Sequence, residues 1–208
     1  MKLIEQSVRG FVNKTSGNDP VPGGGSISAL CGSISAALTH MVAHLTIGKK
    51  KYADVEAQMK ELADKALQIQ EDLLLDIDKD SDSYDIVFKA FKMPKDTDEE
   101  KATRSAEIQR TTKIAAEVPM SVAEKTYRLI PLIEEVVMKG NQNAITDGCV
   151  AMMCCRTAVL GALLNVRINL SSLKDEVFVT EYKAKAERME REIDAIERRI
   201  LDHVYTQI

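Results

Sequence analysis

Apolar and polar positions alternate along this chain with helical rather than strand periodicity. Leu3, Ile4, Val8, Phe11 and Val12 predict a short amphipathic helix. From Ser26 to Ile47 no residue carries a formal charge, and Ala, Gly and Ser dominate. That length suits a membrane span. Its hydroxyls and two histidines fit better a buried central helix, where small side chains let neighbours approach. Val55 to Phe91 predicts one long helix, its core stripe running through Met59, Leu62, Ala66, Ile69, Leu73, Leu74, Ile77, Tyr84, Val87, Phe88 and Phe91. Thr97 to Glu100 spells a capping box, so another helix begins there and runs to about Glu117. Pro119 and Pro131 bracket the next segment, because proline inside a helix loses a hydrogen bond and clashes with the preceding turn. Gly148 to about Ile168 repeats small residues at Gly148, Ala151, Cys155, Ala158 and Ala162, and is expected to pack on the helix after Ser26. The last helix carries Tyr182, Ala186, Met189, Ile193, Ile196 and Ile200 in steps of four and three, a seam for its own bundle or for another subunit. No strand pattern or internal repeat interrupts these helices. The expectation is an all-α chain, a single-domain bundle of long helices over residues 1–208 with two small-residue helices packed at its centre.

The loops hold the chemistry. Pro20 to Ser26 joins two prolines to Gly23, Gly24 and Gly25. The glycines open backbone conformations closed to other residues, and Ser26 is placed to cap the helix that follows. A helix start reached this way exposes free N–H groups, a general anion site. It is not a Walker A loop, since no Gly-Lys-Ser/Thr follows. Close backbone packing is the other reading. Lys49, Lys50 and Lys51 follow Gly48 and suit either a solvated turn or a polyanionic ligand. Asp76, Asp78, Asp80, Asp82 and Asp85 crowd one stretch of the long helix and weaken it locally. The run lacks the glycine and final glutamate of a calcium loop. Neighbouring carboxylates raise one another's pKa, which makes an acid or base near neutrality, although such runs also serve as solvated faces. Asn141, Gln142 and Asn143 present amides in a loop after the helix stop Gly140, and Thr146 or Asp147 opens the next helix. Asn165 sits in an apolar context and needs partners if buried. His40 and His44 share a face, but a third metal ligand is not evident.

Composition narrows the classes. The 208 residues are 45% hydrophobic and 29% charged, ordinary for a globular domain. Net charge is −4, aromatics are 4% and Trp is absent, which argues against nucleic-acid binding. The N-terminus lacks the apolar core of a signal peptide, and Cys31, Cys149, Cys154 and Cys155 show no CxxC spacing. Buried thiols in a reducing, cytoplasmic setting are expected.

Taken in order, Pro20 to Gly25, Leu45 to Tyr52, Asp80 with Asp82 and Tyr84, Met93 to Lys95, Val118-Pro119, Gly140 to Asn143, Asp147, and Asn165-Val166 with Asn169 resemble the formiminotetrahydrofolate cyclodeaminase / methenyltetrahydrofolate cyclohydrolase family. The likeness spans nearly the whole chain. It is strongest to stand-alone cyclohydrolases through Leu45 to Tyr52 and Pro94 to Lys101. Thr146 stands where relatives commonly carry Ser, and His44 where Asn is common. The resemblance implies an all-helical protein that needs no metal or organic cofactor and dimerises through helices. Its substrate would be a folate, with no nucleic-acid or membrane partner. It implies Asp80 and Asp147 as acid/base groups, with Asp82 tuning them. Asn141 and Asn143 would meet the pterin edge, beside Asn165. The Gly23, Gly24 and Gly25 backbone and Lys50 or Lys51 would hold the glutamate tail. Cyclohydrolase and cyclodeaminase activity both fit these residues; a helical interaction module is the non-enzymatic alternative. If the two small-residue helices pack with their N-termini together, the glycine and amide loops face one cleft.

Overall fold

The computed structural model describes residues 1–208. After a 3-10 turn at Leu3–Glu5, seven helices follow: α1 Val8–Thr15, α2 Gly24–Thr46, α3 Glu56–Phe91, α4 Asp98–Tyr127, α5 Ile130–Lys139, α6 Ile145–Leu170 and α7 Glu176–Tyr205. There is no strand. The all-α bundle expected from periodicity is the observed one. α2 and α6 lie at its centre, α2 against α3 and α6, and α6 against α2, α4 and α7.

Small residues set the α2–α6 contact. A Cβ on Gly161 would lie 2.5 Å from Ser28 Oγ, and one on Gly24 would lie 3.1 Å from Asn165 Nδ2. Ser35 Oγ donates to the Ala151 carbonyl at 2.7 Å. At the other end Asn141 N–H donates to Thr46 Oγ1 at 2.8 Å. The start of α2 therefore meets the end of α6, and the helices are antiparallel. The glycine loop and the amide loop lie at opposite ends of the pair. Twenty-two residue steps at about 1.5 Å each separate them by ~33 Å. The expectation that both loops open into one cleft of this chain is overturned.

Other boundaries shift for local reasons. α2 starts at Gly24 with Gly23 as its uncapped N-cap. Ser26 is fully buried in the first turn and is not the cap. The aspartate run does not break α3, because tertiary partners hold it there. Asp76 is buried and salt-bridged to Lys79 at 2.8 Å and Lys125 at 2.5 Å. Asp78 Oδ1 accepts from Leu3 N–H at 2.7 Å and pins the N-terminal turn. The core stripe of α3 ends at Ile77. Beyond it Ser83 and Ala90 face inward, while Tyr84, Phe88 and Phe91 are exposed. The capping box at Thr97 forms, with Glu100 reaching back.

α4 runs straight through Pro119. Proline removes the donor that would reach the carbonyl four residues earlier. That carbonyl, of Ala115, accepts instead from Asn169 Nδ2 at 2.8 Å. α6 begins at Ile145, one residue before Thr146, after a 3-10 turn at Gln142–Ala144. α7 lays Ala186, Met189, Ile193 and Ile200 into its own bundle. Arg167 makes a forked pair with Glu190 at 2.9 and 2.5 Å, and Arg156 binds Asp194 at 2.7 Å. The α7 seam is intramolecular.

Asp76 is the group on which α3 and α4 depend for charge balance. Its side chain is 2% exposed and that of Lys125 18%. Removing one member of such a pair strands the other. Asp76→Asn is expected to lower the unfolding free energy by about 3 kcal/mol in urea titration. An unchanged midpoint would show that the pair contributes nothing.

Candidate active site

The glycine loop forms one wall of a cleft of about 330 Å³. Pro20, Val21 and Gly23 to Gly25 line one side. α3 contributes Asp80, Ser83, Tyr84 and Val87, α4 contributes Ala115, and α6 contributes Asn165, Ile168 and Asn169. No lysine or arginine lines it.

Asp80 is set against the first turn of α2. Gly25 makes the approach possible, since a Cβ there would lie 2.0 Å from Asp80 Oδ1. Ser26 Oγ lies 3.0 Å from Asp80 Oδ2 and 2.9 Å from the Ile77 carbonyl. One hydroxyl hydrogen thus faces two acceptors. When Asp80 is ionised the hydroxyl can serve the carboxylate. When Asp80 is protonated it can donate to Ser26 Oγ while Ser26 donates to Ile77. Both charge states fit the same heavy-atom geometry, as a group that takes up and returns a proton requires.

Burial pushes the Asp80 carboxyl above the usual carboxylate range, while the Ser26 hydroxyl and N–H pull it down. The positive end of α2 also favours the anion. Burial is the main cause; neighbouring carboxylates, the source expected from the acidic run, are not. Asp82 and Asp85 are exposed and outside the cleft, and Asp76 and Asp78 are committed to structure.

The asparagine wall has a fixed sense. Asn165 Nδ2 donates to Gly161 O at 2.8 Å. Asn169 Nδ2 donates to both Ala115 O and Asn165 O, at 2.8 and 2.9 Å. Neither Oδ1 accepts from the protein, so acceptors are what this wall has left to offer.

The remaining sequence candidates lie at the far end. Lys50 and Lys51 are exposed on a 3-10 turn, and Lys51 stands 5.3 Å from the Tyr52 ring centroid. Asn141 is buried, donating to Leu45 O at 2.9 Å and accepting from Asn143 N–H at 3.1 Å. Its amide shapes the loop. Asn143 is exposed, and Asp147 is half-exposed in the first turn of α6. Of the residues foreseen as one site, the fold joins Gly23, Gly24, Gly25, Asp80 and Asn165. It leaves Lys50, Lys51, Asn141, Asn143 and Asp147 at the other end, and Asp82 in solvent.

His40 and His44 stack with ring centroids 4.3 Å apart, and His40 Nδ1 meets Ala63 O at 2.9 Å. No group of three or more His, Cys, Asp or Glu side chains is arranged to hold a metal ion. A larger surface hollow, about 580 Å³, lies between α4 and α7 and is walled by charges such as Glu124, Arg128 and Lys185. It contains no candidate residue.

Residues 7–188 match the profile of the formiminotransferase-cyclodeaminase family. The chain belongs to that family. It is 37% identical over 203 residues to the methenyltetrahydrofolate cyclohydrolase of Methylorubrum extorquens, covering 98% of both chains. It is 33% identical over 176 residues to mouse formimidoyltransferase-cyclodeaminase, of which it spans 32%. In structure it resembles the formiminotetrahydrofolate cyclodeaminase of Thermotoga maritima, with a TM-score of 0.87, 28% identity and 97% coverage of each chain.

Ser83, Val87, Ala115 and Ile168 line the cleft without having been expected there. They are small or apolar residues whose sequence signal is that of core packing. Tyr84 was foreseen as core. Asn169 carried a signal: an amide four residues after Asn165, on the same helix face.

The Asp80 shift implies a pH dependence of stability. A folded pKa above the unfolded value means the folded state binds more protons in between, so stability falls as pH rises through that window. The window opens near the ordinary Asp value of about 3.9 and ends above the folded pKa. Asp80→Asn removes this penalty. Its unfolding free energy is expected to overtake that of the parent with rising pH, by up to ~1.4 kcal/mol per pH unit within the window. Parallel pH curves in urea titration would remove the buried charge from the account.

Proposed function

We propose that this chain is a folate-dependent one-carbon enzyme that hydrolyses 5,10-methenyltetrahydrofolate to 10-formyltetrahydrofolate. The observation that carries the reading is the full-length likeness to a methenyltetrahydrofolate cyclohydrolase, 98% of each chain. The cleft supports it, with a shifted carboxyl and an acceptor-lined wall.

The bridging carbon of the substrate belongs to a delocalised cation, and the Asp80 carboxylate stabilises positive charge beside it. Water bonds to that carbon as Asp80 takes one of its protons. The adduct's hydroxyl then loses its proton to solvent and becomes the formyl carbonyl. The carbon–N5 bond breaks, its electron pair goes to N5, and Asp80 returns its proton there. One proton is released per turnover, matching the lost positive charge. Ser26 accommodates both states of Asp80 without rearrangement.

Asn165 and Asn169 would accept from donors on the pterin. A cleft of about 330 Å³ is at the small end for ligand pockets, so the glutamate tail leaves it for the surface. Neither metal nor organic cofactor takes part in this scheme. The working form is a cytoplasmic homodimer without nucleic-acid or membrane partners; the four free cysteines favour a reducing compartment.

The cyclodeaminase reaction is the second reading, favoured by the likeness to the Thermotoga maritima enzyme. There N10 attacks a formimino carbon and ammonia leaves, which makes Asp80 a proton donor first. Purified protein given methenyltetrahydrofolate should bleach its chromophore faster than it frees ammonia from formiminotetrahydrofolate; the reverse ranking selects the second reading.

Asp80→Asn should lower kcat/KM for the hydrolysis by at least ~100-fold. In the parent the acid limb of the profile should lie above the ordinary carboxylate range, because the base is lost as pH falls through the raised pKa. Ser26→Ala removes a hydrogen bond that holds that pKa down, so the limb should move to higher pH. A full rate in Asp80→Asn would take Asp80 out of the chemistry.

A further inference from the structure

No lysine or arginine lines the Asp80 cleft, yet the folate assigned to it carries carboxylates on its glutamate. Those charges must find water or a cation outside the cleft. Among the lining residues Tyr84 is the one aromatic, and it is exposed.

Tyr84 begins a stripe. Four aromatic side chains of the protein are exposed, and three of them, Tyr84, Phe88 and Phe91, lie on one row of α3. Steps of four and three keep them on the helix face that carries Asp80 and Val87. The rings of Tyr84 and Phe88 stack with centroids 6.0 Å apart and planes 17° from parallel. Lys92 Nζ stands 4.0 Å from the Phe88 centroid. Helical side chains lean toward the N-terminus, so the three groups form one pile in the order Tyr84, Phe88, Lys92. The gap between the two rings is too narrow for a third, which needs about 3.5 Å on each side. The face of Tyr84 left open is the one toward Asp80, in the cleft. At the far end of the row Arg104 Nε and one amino nitrogen donate to Phe91 O at 3.3 and 3.0 Å, which holds the guanidinium 5.7 Å from the Phe91 centroid. The nearby ion pairs join Lys101 to Asp98 and Arg110 to Glu107, and take up neither Lys92 nor Arg104. Glu100 is committed to the capping box. Asp85 is exposed and sits about 100° round the helix from Tyr84.

We propose that this stripe binds the aminobenzoyl-glutamate half of the ligand. The aminobenzoyl ring stacks on the open face of Tyr84, and the glutamate lies along Phe88 with its carboxylates against Lys92 and Arg104. The inference rests on the folate reading for the identity of the ligand, and on the continuity of cleft and stripe at Tyr84 for its path. Eight residue rises separate Asp80 from Phe88, about 12 Å. Lys92, drawn back over Phe88, holds its ammonium at that level. An aminobenzoyl ring and its amide bond cover a comparable length between a carbon beside Asp80 and the first carboxylate. Phe88 has two tasks: it braces Tyr84 from behind and keeps Lys92 laid along the row. Arg104 is fixed by the Phe91 carbonyl before any ligand arrives. Stacking and exposed charge pairs each contribute modestly, so this surface sets affinity and leaves the chemical step alone. The task expected of Lys50 and Lys51, which lie beyond the other end of α2, falls to two cations on the cleft's own side.

The probe is p-aminobenzoyl-L-glutamate, which lacks the pterin, with its uncharged diamide as control. In calorimetry the parent should bind the acid at least ~5-fold more tightly than the diamide, and added salt should erase the difference. Lys92→Glu should bind the two equally, and Lys92→Arg should restore the preference. Tyr84→Ala should weaken both by ~10-fold, while Tyr84→Phe retains them. Lys51→Glu should change neither. With methenyltetrahydrofolate, Tyr84→Ala and Lys92→Glu should raise KM and leave kcat unchanged, as loss of binding common to substrate and transition state requires. Both side chains are exposed, so neither variant should move the urea midpoint. Three results would overturn the proposal: a parent that binds acid and diamide equally or not at all, a preference that survives Lys92→Glu, or one lost in Lys51→Glu. So would a fall in the parent's mass on Phe88→Ala in sedimentation equilibrium, which would give the stripe to another copy of the chain. The functional reading fails separately. A protein that turns over neither folate but ranks the probes as stated keeps the stripe and loses the chemistry.

Discussion

The antiparallel contact of α2 and α6 is the constraint on which the structure depends. Two helices can approach this closely only where side chains are small, and Ser28 against Gly161 and Ser35 against Ala151 supply that. The contact fixes direction as well as distance. It places the end of α6 beside the start of α2, which puts Asn165 and Asn169 opposite Asp80. Larger residues at these positions would move the asparagine wall before they disturbed any group in the cleft.

Asp80 shows how a fold can hold a carboxylate between its two charge states. Burial raises the cost of the anion, while the first turn of α2 and Ser26 lower it. The approach demands a residue without Cβ at position 25, so Gly25 is an electrostatic choice as much as a backbone one. The glycine loop read as an anion site thus already has an anion, supplied by α3. A bound ligand meets that carboxylate rather than bare helix N–H groups.

Much of this was legible in the sequence. Helix existence, the two small-residue helices, the capping box and the glycine loop all follow from local rules. What stayed hidden depended on tertiary partners. Nothing local marks Ala115 O as reachable by Asn169, so Pro119 read as a break. Asp76 and Asp78 read as a solvated acidic run because Lys125 and the Leu3 N–H lie far away in sequence. The direction of α6 relative to α2 is set by connections, not periodicity, and that single unknown divided the foreseen site in two. Asn141 has the side chain of a ligand-binding residue and spends it on its own loop.

Pro119 is not among the residues that line the cleft. By vacating the Ala115 carbonyl it gives Asn169 a fixed place to spend its N–H groups, which settles which way round that amide lies. The cleft therefore shows an oxygen where an unrestrained asparagine would show either atom. A residue with no N–H to donate thereby decides whether the pocket discriminates in favour of ligands with N–H or with C=O on their edge. Selectivity in this fold is partly written into the backbone of a helix behind the site, where inspection of contact residues alone would never find it.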